Sequence, residues 1–158
     1  MKYPVLLTIL SVIAFVYASP SLAAKEAWKT RCDDSGYCEM YQRLDAKQEG
    51  EGSARLAEFA IGIPKGQETA KGVVALPLGI LLKPGVGFFV DKDASYKFDI
   101  NHCLNSGCFA HIDVKGPVLE SLKKGNEASF VFFIQTGQKV RIPMSLAGFT
   151  KAYKKISK

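Results

Sequence analysis

The chain has 158 residues, with 21 lysines and arginines against 15 aspartates and glutamates, which gives a formal net charge of +6. This length suits one domain with a single core. The lysines are scattered rather than interleaved with stacking aromatic side chains, which argues against a nucleic-acid-binding protein. The basic excess is compatible with an anionic lipid, lipopolysaccharide, peptidoglycan or acidic polysaccharide as partner, and equally with ordinary solvation.

The first 23 residues have the pattern of a cleavable export signal. Lys2 precedes a short apolar run from Val5 to Val16, and Ser21 and Ala23 are the small residues that a signal peptidase recognises. We predict cleavage after Ala23. The alternative is a membrane anchor, but the apolar run is shorter than the ~18–20 residues that span hydrocarbon. Residues 24–158 are expected to form one domain without a transmembrane segment.

Most of the remaining chain alternates apolar and polar residues with a period of two, which is typical of half-buried strands. Such stretches lie at residues 38–44, 55–63, 95–101 and 139–144. Residues 129–134 are largely apolar, as in a central strand covered on both faces. Many short strands without long helices between them predict a mainly β fold, a two-sheet sandwich of jelly-roll-like type.

A segment rich in leucine and proline lies between the predicted strands. Pro77 and Pro84 cannot donate to a β-ladder, whereas the apolar side chains around them favour burial. These side chains are Leu76, Leu78, Ile80, Leu81 and Leu82. We interpret the segment as a crossing loop that plugs the sandwich; the alternative is an exposed apolar ridge for docking.

Two segments have helical patterns. Residues 117–124 begin with proline, have lysines in the last turn and are followed by Gly125, so they predict a short helix. Residues 145–156 predict a C-terminal helix with Ser145 as its N-cap. Its apolar face comprises Leu146, Phe149, Ala152, Tyr153 and Ile156. We expect that face to pack on the sandwich rather than to insert into a membrane.

The opposite face of the predicted C-terminal helix is rich in lysine. Lys151, Lys154 and Lys155 form a candidate interaction surface for an anionic partner. The same positive charge also complements a helix dipole without any partner. The sequence leaves both roles open.

Four cysteines occur as two close pairs, Cys32 with Cys38 and Cys103 with Cys108. Downstream of an export signal, such thiols become structural disulfides. Three pairings are possible, and we favour the local one because turn-forming residues separate the members of each pair. A zinc site fits less well, since structural zinc prefers shorter gaps and reduced thiols. Neither pair has the C-x-x-C spacing of a thiol oxidoreductase.

The sequence contains no recognisable catalytic motif: neither a G-x-S-x-G elbow, nor a phosphate-binding loop, nor a dinucleotide fingerprint. The two histidines, His102 and His111, are nine residues apart, which is not a metal-binding motif, and each is expected on the surface or in a loop. We therefore predict no catalytic residue, no metal site and no cofactor.

Three blocks of sequence carry a family resemblance: LPLG at residues 76–79, LKPG at 82–85 and SLAGF at 145–149, together with Trp28 and the cysteine pairs. With these features the chain resembles the invasion-associated locus B family of exported proteins from Gram-negative bacteria. The resemblance implies a β-rich domain in the periplasm, or one that is secreted or surface-associated, with a genetic link to host-cell invasion. It supplies no catalytic residues.

Two hypotheses about function follow. The leading one is a non-enzymatic envelope protein that binds a protein, a glycan or an anionic envelope component and contributes to invasion or virulence. The alternative is a small periplasmic hydrolase or glycan-processing enzyme whose carboxylates meet only in the folded chain. A concave site with converging Asp, Glu or His side chains would favour the enzyme, and exposed basic or apolar groups would favour the binding protein.

Overall fold

The computed structural model describes residues 27–48 and 51–157. The predicted export signal lies outside the described residues, so its cleavage remains a prediction. In chain order the described elements are β1 (Lys29–Cys32), β2 (Cys38–Gln48), β3 (Glu51–Gly62), β4 (Ala70–Leu76), β5 (Val86–Val90), β6 (Ala94–Phe98), β7 (His102–Leu104), β8 (Gly107–Val114), α1 (Gly116–Lys124), β9 (Glu127–Phe133), β10 (Lys139–Ser145) and α2 (Phe149–Ile156).

The strands form two antiparallel sheets, which confirms the predicted mainly β sandwich. The larger sheet has six strands in the order β1-β2-β3-β4-β8-β7, and the smaller has four in the order β10-β9-β5-β6. Neither helix in the described part of the chain has the length and hydrophobicity that a membrane crossing requires.

Phenylalanines from both sheets meet in the core. Phe59 of β3 lies with its ring centre 5.2 Å from that of Phe130 on β9, and Phe130 stacks on Phe88 of β5 at 4.9 Å. All three side chains are fully buried. Edge-to-face and offset contacts of this kind add to the hydrophobic stabilisation of burial, so these rings hold the two sheets together.

The strand with the apolar run is the most deeply buried part of the smaller sheet. In β9 the five residues from Ala128 to Phe132 are all buried, and β10 and β5 pair with the strand on either side, so it is an inner strand of the sheet. Pro143 is tolerated in β10 because that strand lies at the edge of the sheet, where a missing donor interrupts no inner ladder. The predicted central strand is therefore confirmed.

The first helical prediction is confirmed by α1, and the second is wrong at its start. Ser145 ends β10, opposite Glu127, and its hydroxyl accepts a hydrogen bond from the Ala147 N–H at 3.2 Å. Gly148, with φ of +83°, occupies the N-cap position, and α2 begins at Phe149. The backbone of Ser145 cannot both pair in the sheet and open a helix, so a glycine turn separates the two elements.

The segment after β4 is only in part a plug. Ile80 is buried and forms an isolated β-bridge with Ile134, and the Leu81 N–H donates to the Phe133 carbonyl at 2.7 Å. Leu78 and Leu82, however, are 55% and 53% exposed. The expectation that every leucine of this segment is buried is therefore wrong, since the backbone contacts with β9 hold the two outer side chains away from the core.

Candidate binding cleft and basic helix

Each cysteine pair forms a disulfide that closes a hairpin. Cys32 and Cys38 are direct partners across β1 and β2, and Cys103 and Cys108 are direct partners across β7 and β8. The structure thus has the local pairings that we favoured. The two loops span six and five positions, so the bonds constrain the hairpins locally rather than join distant strands. Two disulfides indicate an extracytoplasmic protein.

The turn inside the first disulfide is organised by one carboxylate. The Asp33 Oδ1 atom accepts hydrogen bonds from the Ser35 hydroxyl at 2.7 Å, the Ser35 N–H at 2.9 Å and the Tyr37 N–H at 3.0 Å. The hydrogen bond from the Ser35 hydroxyl contributes most to lowering the pKa of Asp33 below its ordinary value, and the two N–H groups add to that shift. The ionised carboxylate therefore fixes the backbone conformation of the turn that ends at Tyr37 and Cys38.

An Asp33→Ala variant is expected to be less stable than the parent at neutral pH, with a difference that shrinks in acid. Because the folded-state pKa of Asp33 is lowered, its stabilisation is present above the unfolded-state pKa of about 4 and disappears as pH falls through the folded-state value. Thermal melts between neutral pH and pH ~2 measure this. Asp34→Ala removes the same charge from the same turn and serves as the control. If the stability difference between Asp33→Ala and the parent were just as large in acid, the ionised carboxylate would not be what stabilises the turn.

A cleft of about 640 Å³ lies between this turn, the loop after β3 and the C-terminal part of α2. Tyr37 and Tyr153 provide aromatic walls, and Lys65 and Lys155 provide positive charge. Tyr37 packs directly over Gly62, where a Cβ atom would overlap its hydroxyl group. Glycine at that position therefore lets the tyrosine lie against β3 and line the cleft.

The two tyrosines of the cleft remain protonated phenols at neutral pH. Burial is the main cause that raises the pKa of Tyr37, and the negative charges of Glu39 and Asp33 add to it. Burial likewise raises the pKa of Tyr153. A protonated phenol donates a hydrogen bond, so the cleft offers hydroxyl donors and ammonium groups to an oxygen-rich ligand.

Helix α2 is fixed with its lysines towards solvent. Phe149, Ala152 and Ile156 are buried, whereas Lys151, Lys154 and Lys155 are exposed. The apolar and basic faces predicted for this helix are both present. Lys155 also lines the cleft, so the candidate interaction surface is continuous with a concave site.

Contacts on two sides of α2 hold the helix in this orientation. The ring of Phe149 meets Trp28 edge to face at 5.2 Å, and the Trp28 Nε1–H donates to the Ser145 carbonyl at 3.1 Å. The buried Gln42 side chain donates to the same carbonyl at 2.9 Å. On the other side, the Lys123 ammonium lies 5.4 Å from the centre of the Tyr153 ring, which brings the end of α1 beside the basic helix.

Within residues 56–157, the acidic side chains that line the two concavities do not form a pair suited to acid–base catalysis. Among the described residues that line the cleft, Glu68 is the one carboxylate. A second concavity, of about 440 Å³, contains Asp91, Asp93 and Glu120. The Asp91 carboxylate there accepts from the N–H groups of Asn126 and Glu127 at 3.1 and 3.0 Å, so it has a structural role. Nowhere in the described residues do three or more His, Cys, Asp or Glu side chains form a group that could hold a metal.

Sequence reasoning identified Lys155 but neither the tyrosines nor the loop that completes the cleft. Tyr37 lies next to a disulfide cysteine, which places it on a rigid turn, but nothing local to it indicates that helix α2 lies beside it. Since the cleft combines residues near 37, 65 and 155, only the tertiary arrangement brings it together.

The model of a family described as "Invasion associated locus B (IalB) protein" matches residues 28–157. A crystal structure of invasion associated protein B from Bartonella henselae superposes with a TM-score of 0.73 at 19% identity, covering 83% of this chain and 92% of that one. At this identity the similarity shows a shared fold. No curated sequence matches.

Proposed function

The chain belongs to the invasion associated locus B family, and we propose that it is a non-enzymatic binding protein that holds an anionic component of the cell envelope. The proposed location is the periplasm or the surface of a Gram-negative bacterium. Residues 24–158 would be the mature domain after removal of the signal peptide. Through such binding the protein would contribute to contact with a host cell, in keeping with the name of the family.

The observation that carries this proposal is the continuity of the lysine face of α2 with the tyrosine-lined cleft. Lys155 belongs to both, and Lys151 and Lys154 extend the positive charge along the helix. The buried side chains on the other face prevent α2 from rotating, so the three lysines stay on its solvent-facing side. Phosphate, carboxylate or sulfate groups of a lipid headgroup or acidic glycan would pair with the lysines, and sugar hydroxyls would hydrogen-bond to the phenols.

A binding role accounts for the site better than a hydrolase does. Hydrolysis of a glycoside needs two carboxylates placed on either side of the bond that breaks, and the described lining of the cleft provides Glu68 alone.

The proposal predicts that the positive charges on α2 contribute more to the affinity for an anionic partner than positive charges elsewhere on the protein. A variant with Lys151, Lys154 and Lys155 all replaced by glutamine is expected to bind anionic phospholipid vesicles or lipopolysaccharide about tenfold more weakly than the parent, or worse, because each basic residue near an anionic surface contributes to affinity. Sedimentation or surface plasmon resonance at ~50 mM and ~150 mM salt measures this, and the difference should narrow at the higher salt.

The matched control replaces Lys83, Lys92 and Lys97, three exposed lysines in or beside the hairpin of β5 and β6. It makes the same change in net charge and is expected to retain most of the affinity. Equal weakening by both triple variants would show a general charge effect, and undiminished binding by the α2 variant would contradict the proposal. Thermal melts should be nearly unchanged for both, since exposed substitutions have small effects on stability.

A further inference from the structure

The two histidines of the chain, nine residues apart in sequence, lie side by side in the structure. His102 is on β7 and His111 on β8, and their ring centres are 5.8 Å apart. Both side chains are exposed at the edge of the larger sheet. Since the sequence contains just these two histidines, any imidazole chemistry of this protein occurs at this pair or at one of its members.

The register of the hairpin explains why they meet. His102 is opposite Phe109, and His111 is two residues further along β8, so both imidazoles are on the same face in a diagonal arrangement. At the next position the disulfide between Cys103 and Cys108 joins the same two strands. The separation of the two histidine backbones is therefore held by a covalent crosslink as well as by the ladder.

Two further contacts restrict the histidines themselves. The His102 ring stacks on Phe109 with 5.2 Å between ring centres and 22° between planes. The His111 N–H donates to the Asn101 side-chain oxygen at 2.7 Å, which ties the strand to the residue that precedes His102. The backbones that carry the two imidazoles are therefore fixed before a metal binds, which reduces the entropy lost on binding.

We propose that His102 and His111 together bind a divalent transition-metal ion, with copper(II) favoured over zinc(II). Imidazole nitrogen suits both metals, and copper(II) forms the stronger complexes in the general order of stability. With metal–nitrogen bonds of ~2.0–2.1 Å, two imidazoles on one ion have ring centres about 4.5 Å apart at a right angle and about 6.4 Å apart when opposite, and the 5.8 Å found here lies between these limits. Rotation of the exposed side chains would complete the geometry.

The remaining coordination positions would be filled by water or by a donor from a bound partner. Asp113, the next outward residue along β8, is engaged instead with Lys71, at 2.7 Å, and with Lys115, at 3.5 Å. The site is thus a two-histidine site on the protein surface. It is independent of the cleft and of the function proposed for the cleft.

The test is titration of the tag-free protein with copper(II) and, separately, with zinc(II), followed by calorimetry and, for copper, by electron paramagnetic resonance. We expect one high-affinity copper ion per chain, with a spectrum that shows two imidazole nitrogens. His102→Gln and His111→Gln should each weaken copper binding at least tenfold and leave one imidazole nitrogen in the spectrum. Ser106→Ala, in the turn of the same hairpin, should bind as the parent does.

Three results would overturn the proposal: single-histidine variants within about twofold of the parent, two equivalent weak ions per chain, or a copper spectrum without imidazole nitrogen. Loss of binding through misfolding is detectable separately, because thermal melts of the metal-free variants would then differ from that of the parent. Both histidines are exposed, so their melts should coincide.

Discussion

Replacing Phe149 with alanine is expected to lower the free energy of unfolding by about 3–5 kcal/mol, a large share of the ~5–15 kcal/mol typical of a domain. The side chain is 1% exposed. It contacts Trp28 edge to face at 5.2 Å and stacks on Tyr153 at 5.9 Å. Truncation would leave a cavity between α2 and the start of the larger sheet, because the rings around it are held by other contacts.

Denaturant unfolding of the variant measures this loss. Phe149→Leu, which retains most of the volume, should cost less than about 1.5 kcal/mol. Lys154→Ala changes an exposed position of the same helix and should be close to neutral. If Phe149→Ala unfolded like Lys154→Ala, α2 would not be docked through this ring, and the fixed presentation of its lysines would lose its physical basis.

The parts of the fold that the sequence predicted are those in which one local pattern decides the structure. Residues 128–132 are apolar except for Ser129 and form the buried stretch of β9, and the alternation at residues 139–144 corresponds to the edge strand β10. Proline at the start and lysine at the end were sufficient to place α1. In these elements propensity, pattern and burial agree.

The errors occur where tertiary contacts override the local pattern. Ser145 has the character of a helix cap, but its backbone pairs with Glu127, so α2 starts four residues later. Leu78 and Leu82 have apolar side chains, yet they project outward because the backbone of their loop bonds to β9. Sequence patterns do not contain these long-range hydrogen bonds.

Both candidate sites depend on how separate elements are placed in space, which no short sequence pattern predicts. The cleft joins the first hairpin to the last helix, and the histidine pair depends on the diagonal alignment of β7 with β8. What could be predicted were the rigid parts on which they lie, since the cysteine pairs mark both hairpins. The sequence thus indicated the two crosslinked hairpins but not which side chains would meet beside them.

The hairpin that carries the histidines should be especially sensitive at its glycine, and Gly107→Ala is expected to cost about 2–5 kcal/mol. Gly107 is buried and has φ of +139°, a backbone conformation that L-residues rarely adopt. A Cβ atom there would overlap the carbonyl oxygen of Leu76. This oxygen belongs to the backbone of β4, where Leu76 is paired with Cys108, so it cannot move aside without disturbing the ladder.

Gly36→Ala is the matched control, since Gly36 lies in the turn of the other disulfide hairpin with φ of +81° and nothing within 4 Å of an added Cβ. Only the backbone preference is lost there, which costs about 1–2 kcal/mol. Denaturant unfolding of both variants compares an open position at φ of +81° with a crowded one at φ of +139°, where both the conformational and the steric cost are larger. Equal losses would show that the second hairpin does not approach β4 closely. We expect a much larger loss of unfolding free energy for Gly107→Ala, because the absence of a Cβ atom at Gly107 allows the hairpin of β7 and β8 to approach the backbone of β4 closely.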